Sequence, residues 1–308
     1  MRIIYVANHG SKGNDEEGAI HHALTELGHE VLRLRESRGR RALRLQGDML
    51  LFHKWHDIGR LKVFGERGLI RVFWWFDLVD FPEDPTIAGR CQARRIWMNS
   101  ILPYIELGFC TDGDWVARDR SGKLVHLVQG ADSRYMGLTL VDRPKEPSRP
   151  ILFTGIRHGG ERRQSFVDDM IATYGDRFNH VSRGVHGQEL AELIARSLIV
   201  VAPDGPVTDR YWSNRVFLTL GYRGFLLHPW SEGLSQHYRD GSEIVYYRSR
   251  DELHQAIRYY LDRPEECRAI ARRGFARTVR DHTYQHRCAE LMRIVQERFP
   301  ERCPSKTS

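Results

Sequence analysis

The sequence predicts an α/β protein built from two Rossmann-like domains, and three observations lead to this prediction. Short apolar segments alternate with amphipathic ones along the first part of the chain, which is typical of a parallel sheet covered by helices. The proline-rich segment Asp142-Arg-Pro-Lys-Glu-Pro-Ser-Arg-Pro150 cannot form a stable helix or central strand. The same alternation then resumes at Ile151. A chain of 308 residues, 41% apolar and 28% charged, is long enough for two such domains.

The first domain is predicted to cover residues 1–145. An apolar strand at residues 3–7 leads into a helix at residues 18–27, which Gly28 ends because glycine readily adopts the backbone conformation of a helix C-terminus. Further apolar runs predict strands at residues 30–34, 48–53, 70–76 and 107–111.

The second domain is predicted to cover residues 146–282. Apolar runs predict strands at residues 151–155, 198–202, 225–229 and 243–247, with helices at residues 187–195 and 253–261. Pro264 suits the first turn of another helix. The last helix places four apolar side chains on one face by their spacing of i, i+3, i+4 and i+7, namely Cys288, Leu291, Met292 and Val295.

The segment Asp209-Arg-Tyr-Trp-Ser-Asn-Arg215 carries the most specific chemical signal. Ser213 and Asn214 are capping residues before an apolar run, so free backbone N–H groups meet the fixed cation of Arg215 at a helix start. A diphosphate would bind well there. Glu232 lies in a loop after the strand at residues 225–229, where open α/β sheets bind ligands, and is predicted to meet a sugar or a ribose.

Several spaced blocks together resemble the CgeB-like, group 1 glycosyltransferases of GT-B fold. The blocks are Ser213-Asn-Arg-Val-Phe217, Gly224-Phe-Leu-Leu227, Asp240-Gly-Ser-Glu-Ile-Val245, Asp251-Glu-Leu253, Tyr259-Tyr-Leu261 and His282-Thr-Tyr-Gln-His-Arg287. The resemblance is clearest over residues 150–296. It implies two Rossmann-like domains facing a central cleft: an acceptor-binding domain at residues 1–145, a donor-binding domain at residues 146–282, and a helix at residues 283–300 that packs back on the first domain. Where such families carry an acidic residue that holds the donor ribose or sugar, this chain has Leu218.

The resemblance implies transfer of a hexose or pentose from a nucleotide-diphosphate sugar, most frequently a UDP-sugar, to an acceptor hydroxyl. The donor is a co-substrate, and we expect no cofactor and no metal. The candidate donor-binding residues are Gly155, Arg157, Arg162, His186, Gly187, Tyr211, Ser213, Asn214, Arg215, Glu232 and Gly233. We expect Arg157 and Arg215 to hold the diphosphate; the alternative is that either arginine pairs with a surface acid. His186 either touches the nucleotide base or caps the following helix.

The catalytic base is expected in the first domain. Asp77 and Asp80 follow the apolar strand that ends in Phe73-Trp-Trp-Phe76, so a carboxylate emerges beside aromatic rings. Asp77 is the first candidate, and its alternative role is that of a helix cap or loop acid. Further candidates lie on the loop and helix after the first strand, where several GT-B families keep a catalytic group: Asp15, Glu16, Glu17, His21 and His22. His53 and His56 are weaker candidates, because an isolated histidine is more often structural.

Other patterns argue against alternative chemistries. Thr111-Asp-Gly-Asp-Trp115 contains an Asp-x-Asp spacing, but Asp-Gly commonly forms a turn, so we predict no metal site there. The five cysteines show no C-x-x-C spacing, which predicts reduced thiols without a zinc site. A G-x-x-x-x-G-K-[ST] loop and an opening G-x-G-x-x-G are absent, which disfavours a nucleotide hydrolase or a dehydrogenase.

The basic charge is concentrated in one part of the first domain. Between Glu30 and Arg71, eleven Lys and Arg residues face five Asp and Glu residues, which gives +6 of the net charge of +7. The candidate acceptor-binding residues are Arg38, Arg40, Arg41, Lys54 and Trp75. Clustered arginine suits phosphate, so the pattern favours a phosphate-rich acceptor; a solvated surface loop or helix face is the alternative.

We therefore expect duplex DNA with a hydroxymethylated pyrimidine as the acceptor, as for phage-type DNA glycosyltransferases, with the base flipped out of the stack. The same chemistry on a surface polysaccharide, spore-coat component or protein is the alternative, and an inactive GT-B binding module is an alternative of another class. The first residues run directly into a strand without the pattern of a secretion signal, and no apolar run reaches the length of a membrane span. We expect a cytoplasmic protein, in the host cytoplasm if it is viral; its oligomeric state stays open.

Overall fold

The computed structural model describes residues 1–8, 16–37, 43–55, 57–139, 147–158, 160–182, 184–203 and 205–303. The chain divides into two compact units. The first comprises Met1–Asp80, Arg90–Gln129 and Tyr284–Ser308, and the second comprises Phe81–Gly89 and Gly130–Thr283. The candidate residues Asp15, Arg38, Arg40, Arg41 and His56 lie outside the described residues.

The first unit contains a parallel six-stranded sheet with the order β2-β1-β3-β4-β5-β6. Its strands are β1 (Arg2–Ala7), β2 (Glu30–Arg35), β3 (Met49–Phe52), β4 (Ile70–Trp75), β5 (Leu107–Cys110) and β6 (Leu124–His126). Its helices are α1 (Glu16–Glu26), α2 (Ile58–Glu66), α3 (Ala88–Ile101), which begins in the second unit's segment, α4 (Gly113–Val116) and α11 (Tyr284–Arg298).

The C-terminal helix α11 belongs to the core of the first unit. Cys288, Leu291 and Val295 are fully buried on its inner face, in one cluster with Ile20 of α1 and Trp74 of β4. The apolar spacing that predicted an amphipathic helix thus places these side chains against α1 and the sheet.

The second unit contains a parallel five-stranded sheet with the order β11-β10-β9-β7-β8. Its strands are β7 (Ile151–Thr154), β8 (Phe178–Val181), β9 (Ile199–Val201), β10 (Leu226–Pro229) and β11 (Val245–Tyr247). Its helices are α5 (Glu161–Tyr174), α6 (Gly187–Arg196), α7 (Arg215–Gly221), α8 (Glu232–Ser235), α9 (Arg250–Leu261) and α10 (Pro264–Asp281).

Both sheets share one connectivity. In chain order, the second strand pairs with the outer side of the first, and the third pairs with its other side. The strand order therefore reverses between β1 and β3 in the first unit and between β7 and β9 in the second. Ligands of open α/β sheets bind at the carboxyl ends of the strands at such a switch point.

By its contacts, the second unit begins its longer segment at Gly130, whereas the sequence predicts a domain boundary at residue 145. The N–H group of Ala131 donates to the carbonyl of His282 at 2.8 Å, and the turn Ser133–Thr139 packs on α6. The segment Phe81–Gly89 also joins the second unit, where the hydroxyl of Thr86 accepts from the N–H group of Glu161 at 3.1 Å. Contacts distant in sequence thus attach both segments to the second sheet.

All five cysteines are free thiols, and four of them are buried. Within the described parts of the chain, every helix is too short or too polar to cross a membrane.

Candidate functional site

A pocket lies at the switch point of the second sheet, between the carboxyl ends of the strands and α7. Thr154 lies at the end of β7, and Ala202 follows β9. Arg215 and Thr219 line the pocket from α7, and His228 lines it from β10. The lining, which also includes Arg163, thus combines guanidinium groups, hydroxyl groups and an imidazole.

Arg215 is held in place at this pocket by its neighbours. Its side-chain Nη1 donates to the hydroxyl of Ser213 at 3.0 Å. Gly155 has a φ of +150°, and a Cβ at this position would lie 3.0 Å from Nη2 of Arg215 and 3.0 Å from the ring of Phe153. Glycine at residue 155 therefore leaves the space that the guanidinium group of Arg215 occupies. Two predicted donor residues, Gly155 and Ser213, therefore position a third, Arg215.

Arg157 does not point its charge freely into solvent, since its guanidinium group pairs with the carboxylate of Asp168 on α5. Both side chains are 42% exposed. This is the alternative considered for Arg157, a pairing with a surface acid, and its role at a diphosphate stays a prediction.

The start of α5 is occupied by the segment Phe81–Gly89. Gly160 has a φ of +125°, and a Cβ there would lie 2.9 Å from the carboxylate of Asp84, which is 5% exposed. Thr86 accepts from the first N–H group of the helix. A carboxylate at a helix N-terminus interacts favourably with the helix dipole. Protein groups therefore contact the backbone at Gly160 and Glu161, and Arg162 packs its guanidinium group 5.9 Å from the ring centre of Phe81.

The loop that carries Tyr211 is hydrogen-bonded to the start of α8. Ser231 is buried, caps α8 by accepting from the N–H group of Leu234, and donates to the carbonyl of Thr208 at 2.8 Å. The N–H group of Gly233 donates to the carbonyl of Asp209 at 2.9 Å, and a Cβ on Gly233 would overlap that carbonyl oxygen.

This close approach makes glycine necessary at residue 233. Glu232 follows β10, but it stands in the first turn of α8 rather than in the predicted loop, and its side chain is exposed. Tyr211 is 9% exposed and is part of the packed loop. Asn214 is the N-cap residue of α7, and its side chain makes no capping hydrogen bond.

His186 precedes α6 without capping it by its side chain. Gly187 has a φ of +56°, and a Cβ there would lie 3.1 Å from the hydroxyl and ring of Tyr135. Tyr135 therefore covers the start of α6, and the guanidinium carbon of Arg134 lies 5.2 Å from the Tyr135 ring centre. Contact of His186 with a nucleotide base stays a prediction.

His228 and Thr219 were not among the predicted site residues. His228 is 2% exposed, and its Nδ1 lies 2.7 Å from the carbonyl oxygen of Pro229. Burial lowers the pKa of His228 to about 4, against the opposing effect of that hydrogen bond. The ring is therefore neutral near pH 7. A histidine in an apolar strand gives no sequence signal that separates a pocket residue from a packed one.

Asp77, the first candidate for the catalytic base, lies in the first unit and is flanked by cations. Nζ of Lys54 lies 2.7 Å from its carboxylate, and Nη2 of Arg94 lies 3.7 Å away. Lys54 also stands 5.7 Å from the ring centre of Trp75, whose other neighbour is Trp97 at 4.7 Å between ring centres. Trp75 is 5% exposed, so an acceptor could stack on it only after a neighbour moved.

Asp80 forms ion pairs with Arg95 and Arg118, and its side chain is 14% exposed. Asp112, from the Asp-x-Asp triplet, is fully buried and accepts from three backbone N–H groups, those of Val79, Asp80 and Trp115. Burial raises the pKa of the Asp112 carboxyl, although these hydrogen bonds oppose the shift. Asp112 thus caps α4 and fixes the loop that carries Asp80.

The remaining base candidates that the structure describes lie on α1 and directly after β3. Glu17 stands in the first turn of α1, and His21 follows one turn later. His53 is 4% exposed, with Nδ1 2.7 Å from the carbonyl oxygen of Trp74 and Nε2 2.5 Å from the hydroxyl of Tyr5. Because a carbonyl only accepts, Nδ1 donates and Nε2 accepts from Tyr5, so both ring nitrogens of His53 are engaged within the core.

Among the described residues, no group of three or more His, Cys, Asp or Glu side chains is arranged to hold a metal ion. A guanidinium group bound beside hydroxyls suits a phosphate, and the neutral imidazole suits a hydroxyl.

Two parallel sheets of this connectivity, with a pocket at the switch point of the second, are typical of the GT-B fold. Residues 157–293 match the model of a family described as glycosyl transferase-like. Comparison with curated protein sequences gave no match.

Solved structures give the same fold over the whole chain. HepE of Anabaena, in complex with UDP and glucose, is 12% identical, with a TM-score of 0.66 over 96% of this chain and 99% of HepE. Sucrose-phosphate synthase from Thermosynechococcus elongatus is 11% identical, with a TM-score of 0.65 over 98% and 100%. A glycosyltransferase from Rickettsia africae is 11% identical, with a TM-score of 0.63 over 100% and 99%.

The predicted α/β fold of GT-B type is confirmed by these structures, and the resemblance to group 1 glycosyltransferases is confirmed by the family match and the fold together. The narrower resemblances, to CgeB-like proteins and to phage-type DNA glycosyltransferases, stay predictions.

Proposed function

We propose that this protein is a glycosyltransferase that takes a hexose or pentose from a nucleotide-diphosphate sugar, a UDP-sugar in the first instance, and transfers it to an acceptor hydroxyl without a metal. The observation that carries the proposal is the placement of Arg215 at a switch-point pocket inside the segment that matches a glycosyl transferase-like family. The crystal structure of HepE, which shares the fold, is that of a complex with UDP and glucose.

The chemistry follows from the charge that develops during transfer. The bond between the anomeric carbon and the diphosphate oxygen breaks, and negative charge accumulates on the departing nucleoside diphosphate. A guanidinium group held in advance by Ser213 and packed over Gly155 stabilises that charge without rearrangement at the moment of reaction. Loss of one such preorganised donor typically lowers kcat by about 10²- to 10³-fold.

The acceptor hydroxyl must lose its proton as it attacks. Asp77 is the proposed base, and its carboxylate bonds to Lys54 in the absence of substrate. An Asp77→Asn variant keeps the shape of the side chain and removes the basic oxygen, so it separates proton transfer from folding.

As the finer proposal, the acceptor is duplex DNA carrying a hydroxymethylated pyrimidine, in the cytoplasm of a host or bacterial cell. The support is electrostatic. Arg33 and Arg35 lie exposed on the edge strand β2, and Arg44 is exposed on the segment before β3. Phosphates bind such arginine clusters, and the affinity then falls with salt.

The test is an incubation of the protein with a panel of nucleotide sugars, with and without hydroxymethylated duplex DNA. Released nucleoside diphosphate and the mass of digested nucleosides are measured. We expect one donor to be consumed and one nucleoside to gain the mass of a hexose or pentose. Arg215→Ala should lower donor turnover by at least tenfold, whereas Arg272→Ala, which removes an exposed arginine from α10, should leave it unchanged.

Other outcomes separate the alternatives. Donor turnover without a DNA adduct would support the proposed glycosyltransferase activity but contradict DNA as the acceptor. The acceptor would then be sought among polysaccharides, spore-coat components and proteins. Binding of nucleotide or nucleic acid with no turnover of any donor would identify an inactive binding module.

A further inference from the structure

His228 gives the switch-point pocket a neutral hydrogen-bond acceptor. Its Nδ1 lies 2.7 Å from the carbonyl oxygen of Pro229, and because a carbonyl oxygen can only accept, Nδ1 carries the proton. The neutral ring then has its lone pair on Nε2. Since Nδ1 is engaged by the backbone at the end of β10, Nε2 is the polar atom that this side chain offers to the pocket it lines.

The backbone also fixes the orientation of the ring. His228 is 2% exposed and belongs to a strand that pairs on both sides, with β9 and with β11. A side chain that is buried, bonded at one nitrogen and mounted on a central strand loses little conformational freedom when a ligand arrives. Preorganisation of this kind increases the discrimination obtained from one hydrogen bond.

The polar groups of the pocket are of two kinds. The guanidinium group of Arg215, bound to the hydroxyl of Ser213, suits an anionic phosphate. The hydroxyl of Thr219 and the imidazole of His228 are uncharged and line the same pocket. A phosphate joined to a carbon chain that carries hydroxyl groups matches both kinds, and a nucleotide sugar contains two such units, the ribose and the transferred sugar.

We propose that His228 is a specificity-determining residue whose Nε2 accepts a hydrogen bond from a hydroxyl group of the donor while Arg215 binds the adjoining phosphate. The inference rests on the proposed function, and it names the group that selects hydroxylated over deoxygenated donors. An acceptor that is neutral suits a position near phosphates, because it adds no negative charge beside them.

Titration calorimetry with the full-length protein tests the proposal. The ligands are UDP, ADP and GDP, the 2′-deoxy and 3′-deoxy forms of whichever of these binds, and UDP-glucose. The variants are His228→Phe, which removes the acceptor, and His228→Gln, whose side-chain carbonyl oxygen can replace Nε2. His254→Phe is the matched control, because His254 belongs to the same unit but bonds to Asp169 and Tyr174 between α5 and α9.

If the hydroxyl belongs to the ribose, the wild type will bind one ribonucleotide about tenfold more tightly than one of its deoxy forms, the equivalent of roughly 1.4 kcal/mol. His228→Phe will abolish this preference, His228→Gln will retain part of it, and His254→Phe will retain all of it. If the hydroxyl belongs to the transferred sugar, His228→Phe will weaken UDP-glucose by a similar factor and leave UDP unchanged. Either result supports the proposal.

Two results would overturn it. A His228→Phe protein that binds UDP-glucose and every ribonucleotide and deoxynucleotide as the wild type does would refute the role of His228 while leaving nucleotide binding, and so the proposed function, intact. Failure of the folded wild type to bind any of the nucleotides would refute the proposed function itself, and this inference with it.

Discussion

Protonation of His228 should destabilise the second unit at acid pH. The pKa of this imidazole is about 4 in the folded protein because burial disfavours the charged ring, whereas an unfolded histidine titrates near 6.5. The unfolded state therefore binds more protons than the folded state between these two values. The free energy of unfolding contributed by the neutral His228 ring is fully present above about pH 6.5 and is lost progressively as the pH falls toward 4.

The size of the effect follows from the difference in pKa. A difference of about 2.5 units at 1.36 kcal/mol per unit corresponds to about 3 kcal/mol. Arg163 and Arg215 line the same pocket and keep their charge over this range, so the imidazole is the group there that changes. His228→Gln does not titrate, and the difference between wild type and variant isolates this contribution from that of the surface carboxylates.

The measurement is urea-dependent hydrogen exchange, followed by mass spectrometry in peptides of the second sheet, at pH values from 7.5 to 4. We expect the wild type to lose about 3 kcal/mol more than His228→Gln across that range. In a parallel NMR titration, one imidazole resonance should titrate near pH 4 and be missing from the variant. Equal losses in the two proteins, or a His228 resonance that titrates near 6.5, would refute the reasoning.

Three further predictions concern the framework and the basic edge strand. Gly233→Ala should cost about 1–3 kcal/mol, because the new Cβ overlaps the carbonyl oxygen of Asp209, and thermal unfolding will show it. Asp112→Ala should cost about 3 kcal/mol in urea unfolding, since three backbone N–H groups lose their buried acceptor. The double variant Arg33→Ala and Arg35→Ala should reduce the slope of log affinity for duplex DNA against log salt by about 0.9 for each lost phosphate contact.

The glycine and arginine predictions have matched controls. Gly89→Ala, near the start of α3, meets no atom within 4 Å and should be neutral or stabilising, so an equal loss in both glycine variants would contradict the clash. Asp209→Ala should leave the bond at Gly233 intact, because that bond uses the backbone carbonyl. The pair Arg239→Ala and Arg272→Ala, in the second unit, should leave the salt slope unchanged; an unchanged slope in the Arg33 and Arg35 variant as well would remove β2 from the DNA-binding surface.

The fold class was predictable because its signal is local. The central strands of both sheets are continuous apolar runs, and such runs stand out in any window of the sequence. The helices α2 and α3 were not predicted. α2 contains Gly59 and Gly65, which are weak helix formers, and α3 buries only Cys91, Met98 and Ile101 of its fourteen residues. Their apolar faces are too narrow to show in the sequence.

The unit boundary could not be predicted from the prolines alone. Those prolines mark where helix and strand are impossible, whereas the boundary depends on which sheet each flanking segment contacts. Thr86 reaches the first N–H group of α5 at Glu161, 75 residues later in the chain, and Ala131 bonds to His282. Pairings at such distances in sequence leave no periodic pattern to read.

The residues of the candidate site likewise include some that the sequence predicts and others that only the structure shows. Arg215 and Ser213 were predicted from a compact motif, and the structure brings them together with Gly155 at one pocket. Arg157 was predicted from its place after a strand, but the sequence could not show that Asp168, about two turns into α5, would pair with it. The role inferred for His228 depends on which ring nitrogen faces Pro229, and only coordinates show that.

The neutral acceptor at residue 228 also gives a physical meaning to Leu218. The resemblance implies a carboxylate at that point of α7 to hold a donor hydroxyl, and this chain has an apolar side chain there. Two like charges about 6 Å apart repel by roughly 3 kcal/mol at an effective dielectric constant of about 20, so a carboxylate close to a diphosphate reduces the benefit of Arg215. In the role proposed for it above, the His228 imidazole, with its proton fixed on Nδ1, would accept a donor hydroxyl without that repulsion. Replacement of the acid by Leu218 is therefore compatible with an active donor site, provided that His228 supplies the lost acceptor.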